Sequence, residues 1–417
     1  MKSTTRIATV GGVAAAAATL FAVPAAVASP IHQPDHQTVQ QPAQHAVART
    51  EGSVFAQSDN LAGNTIVAYD RASDGTLTQV GVYPTGGLGG QLAGSAVDHI
   101  ASQGSLAYDS ANHLLYAVNA GSNTITAFAV HGDHLTRVQT ISSGGTFPVS
   151  ITVHDGLLYV LNARNGGSIQ GYLRLGGLLV RIPSWHRNLG FNPNSSPEFT
   201  STPGQIAFTP DGSKLVVTTK GDGQSIEIFP VTFLGGPSAT PVTTPDPGNV
   251  PFAVAFDEQD QLVVSEAGPS AVATYAINQN ATLRLITRTT TGQAATCWIT
   301  RVGDHLYASN AGSANISGYT NRDGALTTLG NTATDPGTVD AAAAPNGQYL
   351  YVQTGGNGIV DEFAIDHDGS LDPIGTVTVP GGAGGEGIVA TRPSPSGGGA
   401  DHRLDVGPRL RPTSRRC

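Results

Sequence analysis

Lys220, Glu266 and Asp340 are, by type, the residues of this chain best suited to catalysis. A carboxylate can take a proton as a general base, and an ammonium can stabilise charge developing on an oxygen. Only 12% of residues are charged, so a charge near a ligand site stands out. Glu266 lies in Val263-Val-Ser-Glu-Ala-Gly268, where matching segments end in Asn119, Asn162 and Asn310. An asparagine before a Gly-containing turn caps its own backbone. A glutamate gains nothing there, which points to a role in binding or proton transfer. Gln205, Arg164, Trp298, Glu386, Asn119, Asn162 and Asn310 are expected to line the same site as ligand-binding residues. Glu266 with the three asparagines also offers the all-oxygen set that calcium accepts. No metal or other cofactor is otherwise expected. The chain has no G-x-S-x-G elbow, no H-E-x-x-H, no P-loop and no Cys-x-x-Cys.

The elements that must position these residues are repeats. Ile/Val-x-x-Tyr/Phe recurs as Ile66–Tyr69, Ile125–Phe128, Ile169–Tyr172, Ile226–Phe229, Val272–Tyr275, Ile316–Tyr319 and Val360–Phe363. The last three steps between the aromatics are 46, 44 and 44 residues. A period near that length, built from short β units with turn dipeptides, predicts an all-β, seven-bladed propeller. The aromatics are expected to pack between blades, as periodic apolar positions do. The first unit lacks an innermost strand, and a spare one occurs at Gly387–Thr391. It is expected to complete the first blade and close the ring, removing free sheet edges. Starts of first strands and ends of second strands then share one mouth of the funnel, where propellers bind ligands. That argument brings Lys220, Glu266 and Asp340 together.

Two steps between units are long. One carries extra residues around Thr85–Gly104. The other carries Arg181–Ser201, with Trp185, His186, Phe191 and Phe199. Long loops in a compact repeat are usually functional or mobile, so Trp185 and His186 are the next candidates.

The ends and the composition set the context. Lys2 and Arg6, the apolar stretch Ile7–Val23 and Ala26-Val27-Ala28 read as a signal peptide over residues 1–28, and a secreted protein is expected. Residues 29–50 read as a disordered leader, 51–391 as the propeller, and 392–417 as a disordered tail with six arginines. The net charge is −9, which disfavours nucleic acid as a partner. No run reaches the length of a membrane span. A monomer is expected, with a small molecule or glycan in the funnel. Cys297 is expected as a buried free thiol, and a bridge to Cys417 stays open.

Thr-Pro-Gly-Gln-Ile-Ala-Phe-Thr-Pro-Asp-Gly-Ser-Lys-Leu-Val-Val (202–217) and Asn-Gly-Gln-Tyr-Leu-Tyr-Val (346–352) carry a family resemblance. Over about 54–391 the chain resembles the seven-bladed propeller lactonases, which include 6-phosphogluconolactonases and carboxymuconate-cyclising enzymes. The resemblance implies lactone hydrolysis or cycloisomerisation by a histidine, arginines and a glutamate around the funnel. Family members read Gly-Pro-Arg-His where this chain has Pro203-Gly204-Gln205, which places Gly204 at the arginine position. Thr219-Lys220 stands where members end a strand in Asn-Glu, and Phe147–Ser150 where they carry a histidine. The expected function is therefore a secreted lactone hydrolase or cycloisomerase with a rebuilt site. The alternative is a non-catalytic exported propeller that binds a small molecule, glycan or protein.

Overall fold

Each repeat folds into a four-stranded antiparallel sheet, because short alternating strands are separated by Gly, Asn and Asp turns. A computed structural model describes residues 51–393 of the chain. Among these, seven such sheets form the blades. Blade one joins Ser53–Gln57, Thr65–Arg71 and Leu77–Pro84 to the last strand, Ile388–Ala390. Blades two to seven follow in chain order, with innermost strands Leu106–Asp109, Pro148–His154, Ile206–Phe208, Pro251–Phe256, Thr296–Val302 and Thr338–Ala343.

Ring closure follows the sequence expectation. Val54, Phe55 and Ala56 pair antiparallel with Ala390, Val389 and Ile388. The closing strand is held further by Thr391, whose backbone N–H donates to the Ser53 carbonyl at 2.8 Å. Arg71 Nη2 donates to the carbonyls of Glu51 and Thr391, tying the first described residues to the last strand.

The seven repeat aromatics are buried, none more than 4% exposed. In every blade but the fourth, the register between the third and outermost strands shifts at a β-bulge at or just before the third-strand aromatic, the extra residue lying on the outermost strand. A bulge adds local twist. Here it recurs where the aromatic turns into the core. Hydroxyls on the second and third strands tie several blades to the next. Tyr159 donates to Gly235 O at 2.5 Å, Thr274 to Gly324 O at 2.6 Å, Tyr307 to Gly369 O at 2.9 Å and Tyr351 to Gly75 O at 2.7 Å.

The second long step differs from its expected form. The outermost strand of blade three runs Leu178–Asn188, so Trp185 and His186 belong to the sheet rather than to a loop. Trp185 is 9% exposed and stacks on Tyr159, ring centres 6.1 Å apart. Cys297 is buried and free, as expected. Cys417, the signal sequence, the leader and the basic tail lie outside the described residues. Among the described residues, no helix is long and apolar enough to cross a membrane.

Candidate functional site

The funnel is filled by the chain itself. The first long step sends Asp98–Gly104 across the ring, where it bonds to the inner strands of several blades. Ser102 Oγ donates to Val149 O at 2.8 Å, and Ser150 Oγ donates to Gln103 O at 2.7 Å, both in blade three. The Gln103 N–H donates to Gly204 O at 3.3 Å, at the start of blade four. On blade six, Trp298 Nε1 donates to Ser102 O at 2.6 Å. The Gln103 amide closes a pair there, donating to Ile299 O and accepting from Ile299 N, each at 2.9 Å. The Gly104 N–H donates to Glu386 Oε1 at 2.9 Å, beside the closing strand.

Several sequence candidates meet at this plug. Lys220 is 1% exposed, and its Nζ donates to the carbonyls of Ala101 and Phe199, each at 2.6 Å. Burial pulls its ammonium down to about 7, against the opposing pull of Asp98, Cys297 and Glu198. Lys220 adopts a left-handed backbone, φ 49°, and its carbonyl accepts from Gln224 N at 3.0 Å. Asp340 Oδ1 accepts from Ala341 N at 2.9 Å, and its carboxyl hydrogen-bonds that of Glu386. Burial is the main reason both carboxyls are raised, and Asp98 raises both further. Asp340 and Asp59 add to the rise at Glu386. Two carboxylates in such contact cannot both ionise freely, which holds both above the usual carboxylate range. Glu386 Oε2 is buried without a hydrogen-bond partner. Gln205 is 9% exposed, and its Oε1 accepts from Val254 N at 2.6 Å, which joins blades four and five. Trp298 lies edge-on to Phe252, ring centres 5.0 Å apart, and Lys220 Nζ stands 5.3 Å from the Phe252 ring.

Glu266 does not join this group. It is fully buried and accepts from Arg288 Nε at 2.5 Å, Arg288 Nη2 at 2.8 Å and Tyr275 OH at 2.9 Å. Strand register explains why. In blade six, Asn310 Nδ2 donates to Ser317 Oγ, and Ser317 donates to Asn331, its cross-strand partner. In blade two, Asn119 bonds Thr126, which pairs with Thr140. In blade five the middle position is Ala273, whose partner is Arg288. The small alanine leaves room for Arg288 to reach Glu266. The last residue of the second strand therefore faces along its own blade, not the axis. Asn119, Asn310 and Glu266 are satisfied there. Asn162 Nδ2 donates to Ser143 O at 3.3 Å, and its Oδ1 is buried without a partner. The four oxygen donors considered for calcium thus lie in different blades, each engaged locally, with Asn119 Oδ1 also accepting from Asn64 Nδ2 of blade one at 3.1 Å. Among the described residues, no three His, Cys, Asp or Glu side chains are placed to hold a metal.

Arg164 sits on the rim instead. It forms a two-pronged pair with Glu198, Nε to Oε1 at 2.6 Å and Nη2 to Oε2 at 3.0 Å, and stacks over Phe147 at 4.2 Å. A cleft of about 110 Å³ opens beside this pair, lined by Asn165, Phe191, Asn192 and Ser195 among others. Glu198 Oε2 also accepts from Ala93 N at 2.7 Å, so the two long steps meet at this rim.

Sequence reasoning passed over Asp98, Gln103, Asp59 and Glu198. The one available signal was the length of the Thr85–Gly104 step. Gly204, at the family's arginine position, lies against the backbone of blade five. A Cβ added there would sit 2.3 Å from Phe252 O, so the position admits no side chain as it stands.

Comparison with known proteins agrees with this architecture. Residues 45–175 match the family model described as lactonase, 7-bladed beta-propeller. No curated protein matches the chain. A solved structure from Bacteroides fragilis, described as a "putative 6-phosphogluconolactonase", superposes with TM-score 0.66 at 18% identity, covering 84% of this chain and 100% of its own. The periplasmic gluconolactonase of Pseudomonas aeruginosa superposes with TM-score 0.67 at 16% identity, covering 82% of this chain and 99% of its own. The chain is thus an all-β, seven-bladed propeller that resembles the lactonase propellers. At these identities the superpositions define the fold alone.

Proposed function

We propose that the protein is an exported binding propeller on the lactonase scaffold, without lactone-opening chemistry. One observation carries this reading: Asp98–Gly104 fills the funnel and consumes the polar groups that face it. A reacting carbonyl needs a base within hydrogen-bond reach, and here the bases are sealed under the plug. The ligand is then taken at the rim, at the cleft beside Arg164, Phe191 and Asn192. At about 110 Å³ the cleft admits a small polar group such as a glycan end, below the size of most small-molecule pockets. Export rests on Lys2, Arg6, the apolar run Ile7–Val23 and Ala26–Ala28.

A second reading, lactone hydrolase or cycloisomerase, is favoured by the clustering of Lys220, Asp340 and Glu386, because shifted groups gather at functional sites. It requires the plug to withdraw. A pH-stat assay on a panel of lactones, glucono-1,5-lactone included and with or without calcium, separates the two. The binding reading expects the spontaneous rate throughout, and thermal shifts from a glycan panel that are lost in R164M. Turnover that disappears in D340N would establish the enzyme reading instead.

A further inference from the structure

The outer edge of blades three and four is apolar and exposed, with few carboxylates in its own strands. Residues 165–197 hold Arg174, Arg181 and Arg187 but no Asp or Glu. Residues 228–245 hold no charged side chain. Both stretches belong to a chain of net charge −9. In blade three, Leu157 pairs with Leu173, Leu173 with Val180, and Leu175 with Leu178, so these side chains share one face. Leu175 is 62% exposed, Leu178 51% and Val180 42%.

The hairpin of blade four seats on that same face. Its tip is a tight turn, with Gly235 N donating to Thr232 O at 2.8 Å and Thr232 N to Gly236 O at 2.9 Å. Gly235 lies against Leu157 and Trp185, where a Cβ would meet Leu157 at 2.6 Å. The turn is anchored by Tyr159 OH to Gly235 O and by Arg187 Nε to Ser238 O at 2.7 Å. Phe233 and Leu234 occupy the two corner positions and are 96% and 68% exposed. The anchors stop the turn from folding them inward.

We propose that this edge docks on an anionic lipid bilayer, with Phe233 and Leu234 as the inserted tip and Leu175, Leu178 and Val180 as its flank. An exposed apolar patch of this extent marks an interaction surface. Its form is a protruding corner rather than a groove. A protein partner needs a matching cavity, whereas acyl chains accept a convex tip of any shape. Local charge selects the lipid. Arg181 is exposed beside the flank. Three carboxylates stand nearby: Asp109, 3.5 Å from Arg174, Asp155, 3.5 Å from His154, and Asp211, bonded to Ser213 at 2.7 Å beside Val231. The rest of the acidic surface would be repelled by an anionic leaflet, which orients this edge toward it.

The test uses the full chain and vesicles of phosphatidylcholine with or without phosphatidylglycerol. Carrying F233W, the protein is expected to show a blue-shifted emission on the anionic vesicles and quenching by lipids brominated in the acyl chains. F233S/L234S is expected to weaken co-sedimentation at least about tenfold, from the apolar area it withdraws. Its melting temperature should hold, since both side chains are exposed. Absence of quenching in F233W, or undiminished co-sedimentation of F233S/L234S, overturns the proposal. So does a dimer in sedimentation velocity that F233S/L234S abolishes, which would assign the edge to a second copy.

Discussion

Lys220 Nζ donates to the carbonyl of Ala101, 119 residues earlier in the chain, at 2.6 Å. That bond fixes the meaning of the most buried cation at the centre of the ring. An ammonium stripped of water is costly unless its hydrogen bonds are met, and here two carbonyls meet them. The residue clamps the plug. The clamp and the plug's other contacts give the ring predictable responses.

Q103A tests the plug directly. The substitution strips both hydrogen bonds from Ile299 and leaves a buried strand N–H and carbonyl unmet. A loss of about 1–3 kcal/mol in unfolding free energy is expected. Denaturant titration measures it, and hydrogen exchange should show Asp98–Gly104 losing protection while the blade strands keep theirs.

Asp340 makes stability depend on pH. Its carboxyl is raised above its unfolded value, so the folded state holds the proton longer than the unfolded one. The contribution is present in full below the unfolded value, near 3.9, and is lost as pH rises through the folded one. D340N removes that loss. The variant should melt at or above wild type at neutral pH, with the gap closing toward pH 4. Lys220 has the opposite sign. Its value is lowered to about 7, so its contribution is present above the unfolded value and lost as pH falls toward 7. Melting curves of K220M and wild type should therefore diverge between about pH 7 and 10, where the shift lies.

R288M leaves Glu266 buried with Tyr275 as its remaining partner. Removing one side of a buried ion pair destabilises by about 3 kcal/mol. E266Q/R288M should recover part of that loss in a double-mutant cycle, because the Glu266 charge is then gone and only Asp246, the other partner of Arg288 at 3.0 Å, is left without its cation. A ligand-binding defect with unchanged stability in E266Q would return Glu266 to the functional list.

Removing residues 385–417 should unfold the ring, and removing only 392–417 should leave the melting temperature unchanged. The difference is the strand Ile388–Ala390 and its pairing with Val54–Ala56. Its loss exposes the edge of blade one and the apolar side chains beneath it. Calorimetry of the two truncations makes the comparison, and equal melting would contradict the closure.

The fold was readable because its signals are local and repeated. The aromatic of each third strand and the turn dipeptides recur within every unit, and the spare strand at 387–391 balances a missing one. The site was legible only in part. Placing Lys220, Trp298, Asp340 and Glu386 around the axis needed only strand direction. Glu266 needed side-chain alternation as well, and the decisive feature was a small residue, Ala273, that lets Arg288 through. The plug left no local trace beyond length. Gln103 looks like any loop glutamine until Ile299, 196 residues later, supplies its partner.

The same separation bears on how the ring assembles. The seat for Gln103 does not exist until blade six has formed, and Glu386 arrives only with the last strand. Loop-closure entropy must be met before such distant contacts reward it. The plug is therefore expected to lock late, after the folding barrier, and a Q103A variant that unfolds faster while refolding at the wild-type rate would bear this out. Contacts made on that side of the barrier slow escape from the native state and leave the rate of reaching it nearly unchanged. A peptide that spoils the funnel as a pocket is thus expected to make the closed ring long-lived.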